Sequence, residues 1–263
     1  MKKITLFRLC FPVLLLFSLA ALPATAEKVQ RLDIVDRAIE FHGGALYRGS
    51  EVRLRVSSRS GGFQVVSTVD GDSFEHVVSG KLRSGVVRKV RQTNTSLEQW
   101  NDGEPVELDD DGRRRAQSFV EARVYFSFLP YGLNDENTWK EDQGLEDWDG
   151  RKLHRVKVTF EAGSSNSAHD EYVFWFDSES GRLEQYAYSF GTGRDNGGLR
   201  FRPLSEYRRV GGILFFDATN LGVDGSGELR VDQITPAYVK EKMEHVSFVN
   251  LTGLKVKPVV AER

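Results

Sequence analysis

Cysteine is almost missing from this 263-residue chain. The single one, Cys10, falls in the first two dozen residues, so the remainder needs no disulfide in an oxidising compartment. A basic excess is missing too. The chain has 36 Lys and Arg against 38 Asp and Glu, which excludes the concentrated positive field of a nucleic-acid binder. No G-x-S-x-G elbow, H-E-x-x-H helix or phosphate-cradling glycine loop is present. The five histidines, His42, His76, His154, His169 and His245, are scattered singly among different segments. Their spacing defines no metal site, and no cofactor is implied.

What is present begins with a leader. "MKK" is a basic start, "LCFPVLLLFSLAALP" an apolar core, and "ATA" before Glu27 a small-residue cleavage site. Residues 1–26 are expected to be a secretory signal peptide cleaved after Ala26. The apolar run is short of the roughly 20 residues of a spanning helix, and Cys10 is not placed like a lipid-bearing cysteine. Removing Lys2, Lys3 and Arg8 takes the basic count from 36 to 33 against 38 acids, a formal charge of −5. Residues 27–263 suit one domain, periplasmic or secreted, with no transmembrane segment of its own.

The segment "VQRLDIVDRAIEFHGG" places Leu32, Val35, Ala38, Ile39 and His42 on one helical face, with Gly43-Gly44 as the stop. The period then falls to two. "EVRLRVSSR", "GGFQVVSTVDG", "SFEHVVSG", "GVVRKVRQ" and "SLEQWNDGEPVEL" read as antiparallel strands, with Asp-Gly at a hairpin turn. Strands resume with "RKLHRVKVTFEA", "DEYVFWFDSESGRLEQYAYSF", "LRFRPLSEYRRVGGILFFDATNLG" and "GELRVDQI". "EKMEHVSFVNL" is a weaker strand. Between the two strand groups, "RRRAQSFVEARVYFSFL" predicts a helix whose apolar surface spreads around its axis, the mark of a helix enclosed by protein. Pro130 ends it. The fold class is therefore α+β, a large antiparallel sheet that curls, with an N-terminal helix and an inner apolar helix covering the concave face.

Chemistry is sparse. "ELDDDG" at Glu107–Gly112 has the start of a calcium loop, but Ser118 stands where the bidentate glutamate belongs and Arg113–Arg115 would oppose a cation. It reads more simply as a helix lead-in. Paired carboxylates could converge anywhere, and nothing singles out a pair. The distinctive feature is the greasy stretch "VYFSFLPYGL" from Val124 to Leu133. It is either core or the wall of a concave apolar site. Phe126, Phe128, Leu129, Tyr131 and Leu133 are the candidate ligand-binding residues, with Trp175 and Tyr188 on the opposite wall. Only one of the sets Tyr172/Phe174/Phe176 and Val173/Trp175 can face inward. Leu129→Glu is expected to abolish binding and leave a folded chain.

The "FHGG" helix end, the meander, "FSFLPYGLND" and "DEYVFWFDSESGRLEQYAYSF" together resemble an uncharacterised group of secreted bacterial proteins, over roughly Leu32 to Phe248. That group is related in fold to the LolA/LppX-type lipoprotein and lipid carriers. The resemblance implies a half-open β-barrel whose concave face is covered by helices and accepts acyl chains. It implies no catalytic residue. The expectation is a non-enzymatic binding protein for a lipid, acyl chain or other apolar ligand. The alternative is an envelope scaffold with a packed core, partnered by another envelope protein.

Overall fold

The computed structural model describes residues 28–161, 170–191, 197–224 and 230–259. The expected signal peptide and His169 lie outside them. A two-residue strand, β1 (Lys28–Val29), leads into helix α1 (Asp33–Phe41) and the short α2 (Gly44–Tyr47). The break between the helices is Gly43, at φ 84°. A side chain there would be strained, and its Cβ would lie 2.6 Å from the Gly212 carbonyl oxygen.

The first meander follows: β2 (Gly49–Ser58), β3 (Gly61–Asp70), β4 (Ser73–Lys81), β5 (Val87–Thr93), β6 (Leu97–Asn101) and β7 (Glu104–Val106). Helix α3 (Asp110–Ser127) and a 3₁₀ turn (Tyr131–Asn134) separate it from the second: β8 (Thr138–Trp148), β9 (Arg151–Phe160), β10 (Tyr172–Asp177), β11 (Leu183–Phe190), β12 (Gly198–Val210) and β13 (Ile213–Asp224). A 3₁₀ turn (Val231–Gln233), helix α4 (Pro236–Lys242) and the long β14 (Glu244–Pro258) complete the described chain.

Among the described residues fourteen strands form one open antiparallel sheet in the order β1-β8-β9-β10-β11-β12-β13-β14-β2-β3-β4-β5-β6-β7. β14 joins the two meanders. Its first half pairs with β13 (Ala218 opposite Val249) and its second half with β2 (Leu251 opposite Val56). Where β14 leaves β13, side chains replace the ladder. The Asp217 carboxylate accepts from the Leu251 N–H at 2.8 Å, and Arg208 donates to both Asp217 and the Leu251 carbonyl.

The sheet wraps around α3. Phe119 meets Phe63 of β3 at 5.4 Å, and Phe126 stacks on Tyr186 of β11 at 5.6 Å. Five steps of sheet separate those strands, roughly 24 Å if flat, whereas a helix is only about 10–12 Å across. The concave face carries two apolar clusters. One joins β2–β5 to Ala116, Phe119, Val120 and Val124 of α3. The other joins α1 to β9–β11 through Ile34, Val35, Ala38, Phe174 and Tyr186. A third lies on the convex side, where Val231 and Ile234 cover Trp148, Val173, Trp175 and Phe201.

Two segments differ from expectation. In "GELRVDQI" the described residues form a 3₁₀ turn and not a strand, because Val231 and Ile234, three apart, both seal the convex cluster. The unforeseen β8 has a polar row, including Lys140, that hides its strand alternation. Among the described residues no helix is long and apolar enough to cross a membrane.

Candidate functional site

α3 is set in place at both ends. At its start the Asp109 carboxylate accepts from the Gly112 N–H at 2.7 Å, with Asp110 and Asp111 beside the positive end of the helix dipole. The acid run is thus a helix cap. After Ser127 the chain turns through a cis Leu129–Pro130 peptide into the 3₁₀ turn. Two bonds hold that turn: the buried Lys140 ammonium donates to the Leu133 carbonyl at 2.7 Å, and the Asn134 amide to Asp36 at 2.5 Å. The helix is not enclosed all round. Arg113, Arg114, Arg115 and Ala122 face solvent, and the buried side runs through Ala116, Phe119, Val120 and Val124.

Two cavities flank the C-terminal half of α3 and meet at Ala122 and Phe126. The first, about 250 Å³, lies toward β11–β14 and β2; Phe216, Ala218, Val249 and Leu251 form its apolar lining, and Arg123 and Arg202 also border it. The second, about 320 Å³, lies toward β8–β10, between Tyr125, Phe160, Tyr172 and the 3₁₀ turn, with Glu121 and Asp135 as its acids. Phe126 is the partition. Its ring lies 5.6 Å from Tyr186, 5.3 Å from Tyr188 and 6.4 Å from Tyr172, in an aromatic row that continues to Phe174.

The polar groups are few and distinct. Arg202 projects from β12 against this row, its guanidinium 4.8 Å from the Phe126 ring and 5.2 Å from Tyr188. It donates to the Tyr186 hydroxyl at 2.8 Å, the Tyr188 hydroxyl at 2.9 Å and Asn220 Oδ1 at 3.2 Å. Burial pushes the Tyr186 phenol up to about 12, outweighing the nearby Arg202 charge, so it stays neutral. Arg123 lies between the Phe63 and Phe119 rings at 4.1 and 3.9 Å. On the other side of the helix, burial raises the pKa of both Glu121 and Asp135, opposed by Gln117 and by Arg48 with Lys140, respectively. The Tyr125 hydroxyl there is buried with no partner among the described residues.

Of the residues singled out by sequence, Phe126 and Tyr188 are brought together on the first cavity. Phe128 and Tyr131 pack on Tyr47 at 4.5 and 4.3 Å, and the Tyr131 hydroxyl accepts from Arg48. Leu129 and Leu133 are 2% and 0% exposed within the second concave cluster. A void of about 10 Å³ beside Phe128, Leu129 and Tyr131 holds one water at most. Trp175 is on the other face of the sheet, packed on Trp148 and Phe201 and donating to Glu146 at 2.6 Å. The inward set on β10 is Tyr172, Phe174 and Phe176. Sequence reasoning missed Arg202 and Arg123. The available signal was the alternation of "LRFRPL", which places Leu199 and Phe201 outward and leaves Arg202 on the inner row, opposite Tyr186.

The chain belongs to DUF6503, a family of unknown function, whose model matches residues 3–250. No curated protein matches it. Among solved structures it is similar to a DUF1329 family protein from Desulfovibrio piger, at 13% identity and TM-score 0.51, over 87% of this chain and 94% of that one. It is also similar to a LolA superfamily protein from Nitrosomonas europaea (12% identity, TM-score 0.49, 86% and 93% covered). A third likeness is to a putative outer membrane lipoprotein-sorting protein domain from Vibrio parahaemolyticus (11%, TM-score 0.46, 87% and 94%). Membership of a family of unknown function matches the uncharacterised group that the motifs resemble. At 13% identity the first likeness shows a shared fold and no more.

Proposed function

We propose that this chain is an exported, non-catalytic binding protein that holds a lipid, acyl chain or other apolar ligand between its curved sheet and α3. The observation that carries this reading is the pair of cavities meeting at Phe126, walled by an aromatic row. Cavities of about 250 and 320 Å³ sit near the lower end of the roughly 300–1,000 Å³ range of small-molecule sites, and apolar walls with a few convergent polar groups are their usual character. An open sheet covered by one helix gives such a space without a closed barrel. The leader expected at residues 1–26 supports export to the periplasm or beyond the cell.

Ala122 gives a clean test, because it borders both cavities and its side chain is exposed. Ala122→Trp therefore adds bulk where the cavities meet without entering the core. Displacement of a fluorescent naphthylamine probe by long-chain lipids is expected to weaken at least about tenfold, the range of a lost apolar contact of 1–3 kcal/mol, while the unfolding midpoint holds. Undiminished binding by this variant would place the ligand elsewhere.

A further inference from the structure

Resting on that reading, we propose that the ligand is an anionic amphiphile, its carboxylate or phosphate head held by Arg202 and its tail laid along the aromatic row at Phe126. The two cavities differ in sign. The one toward β12 has Arg123 and Arg202 in its lining and no carboxylate; the one toward β8 has Glu121 and Asp135. An acidic head has one side of the helix to choose.

Arg202 differs from most cations of this sheet, although the buried Lys140 also lacks a carboxylate among the described residues and donates to the Leu133 carbonyl. Arg155, Lys157, Arg200 and Arg208, all part-buried, each pair with a carboxylate. Arg202 pairs with none among the described residues. Its bonds go to two phenols and an amide, all neutral. A guanidinium has five N–H donors, so three bonds leave two free, one on each terminal nitrogen. Two such donors match the oxygens of a carboxylate or phosphate. A cation out of water and without a counter-charge is costly; phenol dipoles and ring faces moderate that cost, and an entering anion would remove it.

Arg123 adds to the same field. Its Nη1 donates to the Phe119 carbonyl at 2.7 Å, and its Nε is buried with no partner among the described residues. Burial, and then the neighbouring Arg88, lower its pKa to about 10, which leaves it cationic at neutral pH. At the rim, Ser58 and Ser60 from the β2–β3 turn offer hydroxyls to the head.

The test compares hexadecanoate, hexadecyl phosphate and hexadecanol on the full chain, by probe displacement and calorimetry, with inorganic phosphate as a fourth ligand. At least one anionic amphiphile should bind about tenfold or more tighter than the alcohol, as a charge-assisted bond to a desolvated arginine requires. Arg202→Gln should remove that preference and leave hexadecanol binding and the folded spectrum in place. Should Arg202→Gln fail to fold, the wild-type preference and its loss in Arg123→Gln decide. Equal affinities for the anions and the alcohol in the wild type overturn the proposal, as does a preference that survives in folded Arg202→Gln. Saturable phosphate binding without any alkyl ligand would make this a free-anion site and equally overturn it. Failure of all three alkyl ligands to bind would instead overturn the apolar-ligand reading on which the proposal rests.

Discussion

His42 illustrates how single residues set the behaviour of this fold. It closes α1, is 4% exposed, and its Nε2 accepts from the Leu183 N–H at 3.2 Å. Burial, and then the charge of Arg209, lower its pKa from 6.5 to about 3. Between those values the unfolded chain binds a proton that the folded chain does not. The contribution is therefore complete above pH 6.5 and is lost as pH falls toward 3, at about 1.4 kcal/mol per pH unit. His42→Gln keeps an acceptor for Leu183 and removes the titration. Urea unfolding at pH 7 and pH 5 should show a shallower acid loss for the variant by that slope, while His76, lowered to about 4 by burial, keeps its own share. An unchanged slope would refute the assignment. Arg202 makes the complementary point: period two alone places it on the inner row, but its partners come from β11 and β13, which only the assembled sheet brings near.

At the scale of elements, the greasy stretch divides its residues by direction. α3 turns Phe126 to the cavities, Phe128 to Tyr47, and the bend after it sends Leu129 and Leu133 into the second cluster. Leu129→Glu is thus expected to unfold the protein. It forfeits the ~2–5 kcal/mol of a buried leucine and places a carboxylate where no partner awaits it, against a total stability of roughly 5–15 kcal/mol. Circular dichroism and urea titration check this; a folded variant with a wild-type midpoint would contradict it. Much of this architecture was legible in the sequence. The "DSESG", "VGG" and "NDGE" hairpins follow from turn chemistry and alternation, and the long helix from a stretch free of Gly and Pro. The face of β10 was not legible, because Tyr172, Val173, Phe174, Trp175 and Phe176 are all buried. A strand covered on both sides has no polar row to mark its exterior, which is why Trp175 read as a wall residue. β8 hid for the opposite reason: its buried Lys140 serves the backbone of the 3₁₀ turn and breaks the apolar pattern.

The whole molecule is an open sheet that encloses space only because α3 lies across it. The same helix completes the core on the β2–β5 side and leaves cavities along its other end. The central claim is that this space is for a ligand, and the direct measurement is native mass spectrometry on the full chain purified from its own host's envelope fraction without detergent, followed by solvent extraction. The account predicts a mass above that of the polypeptide and an extract containing an acidic long-chain species. A bare mass from protein that also binds no added amphiphile would contradict it, and would favour a packed envelope scaffold whose partner is another protein.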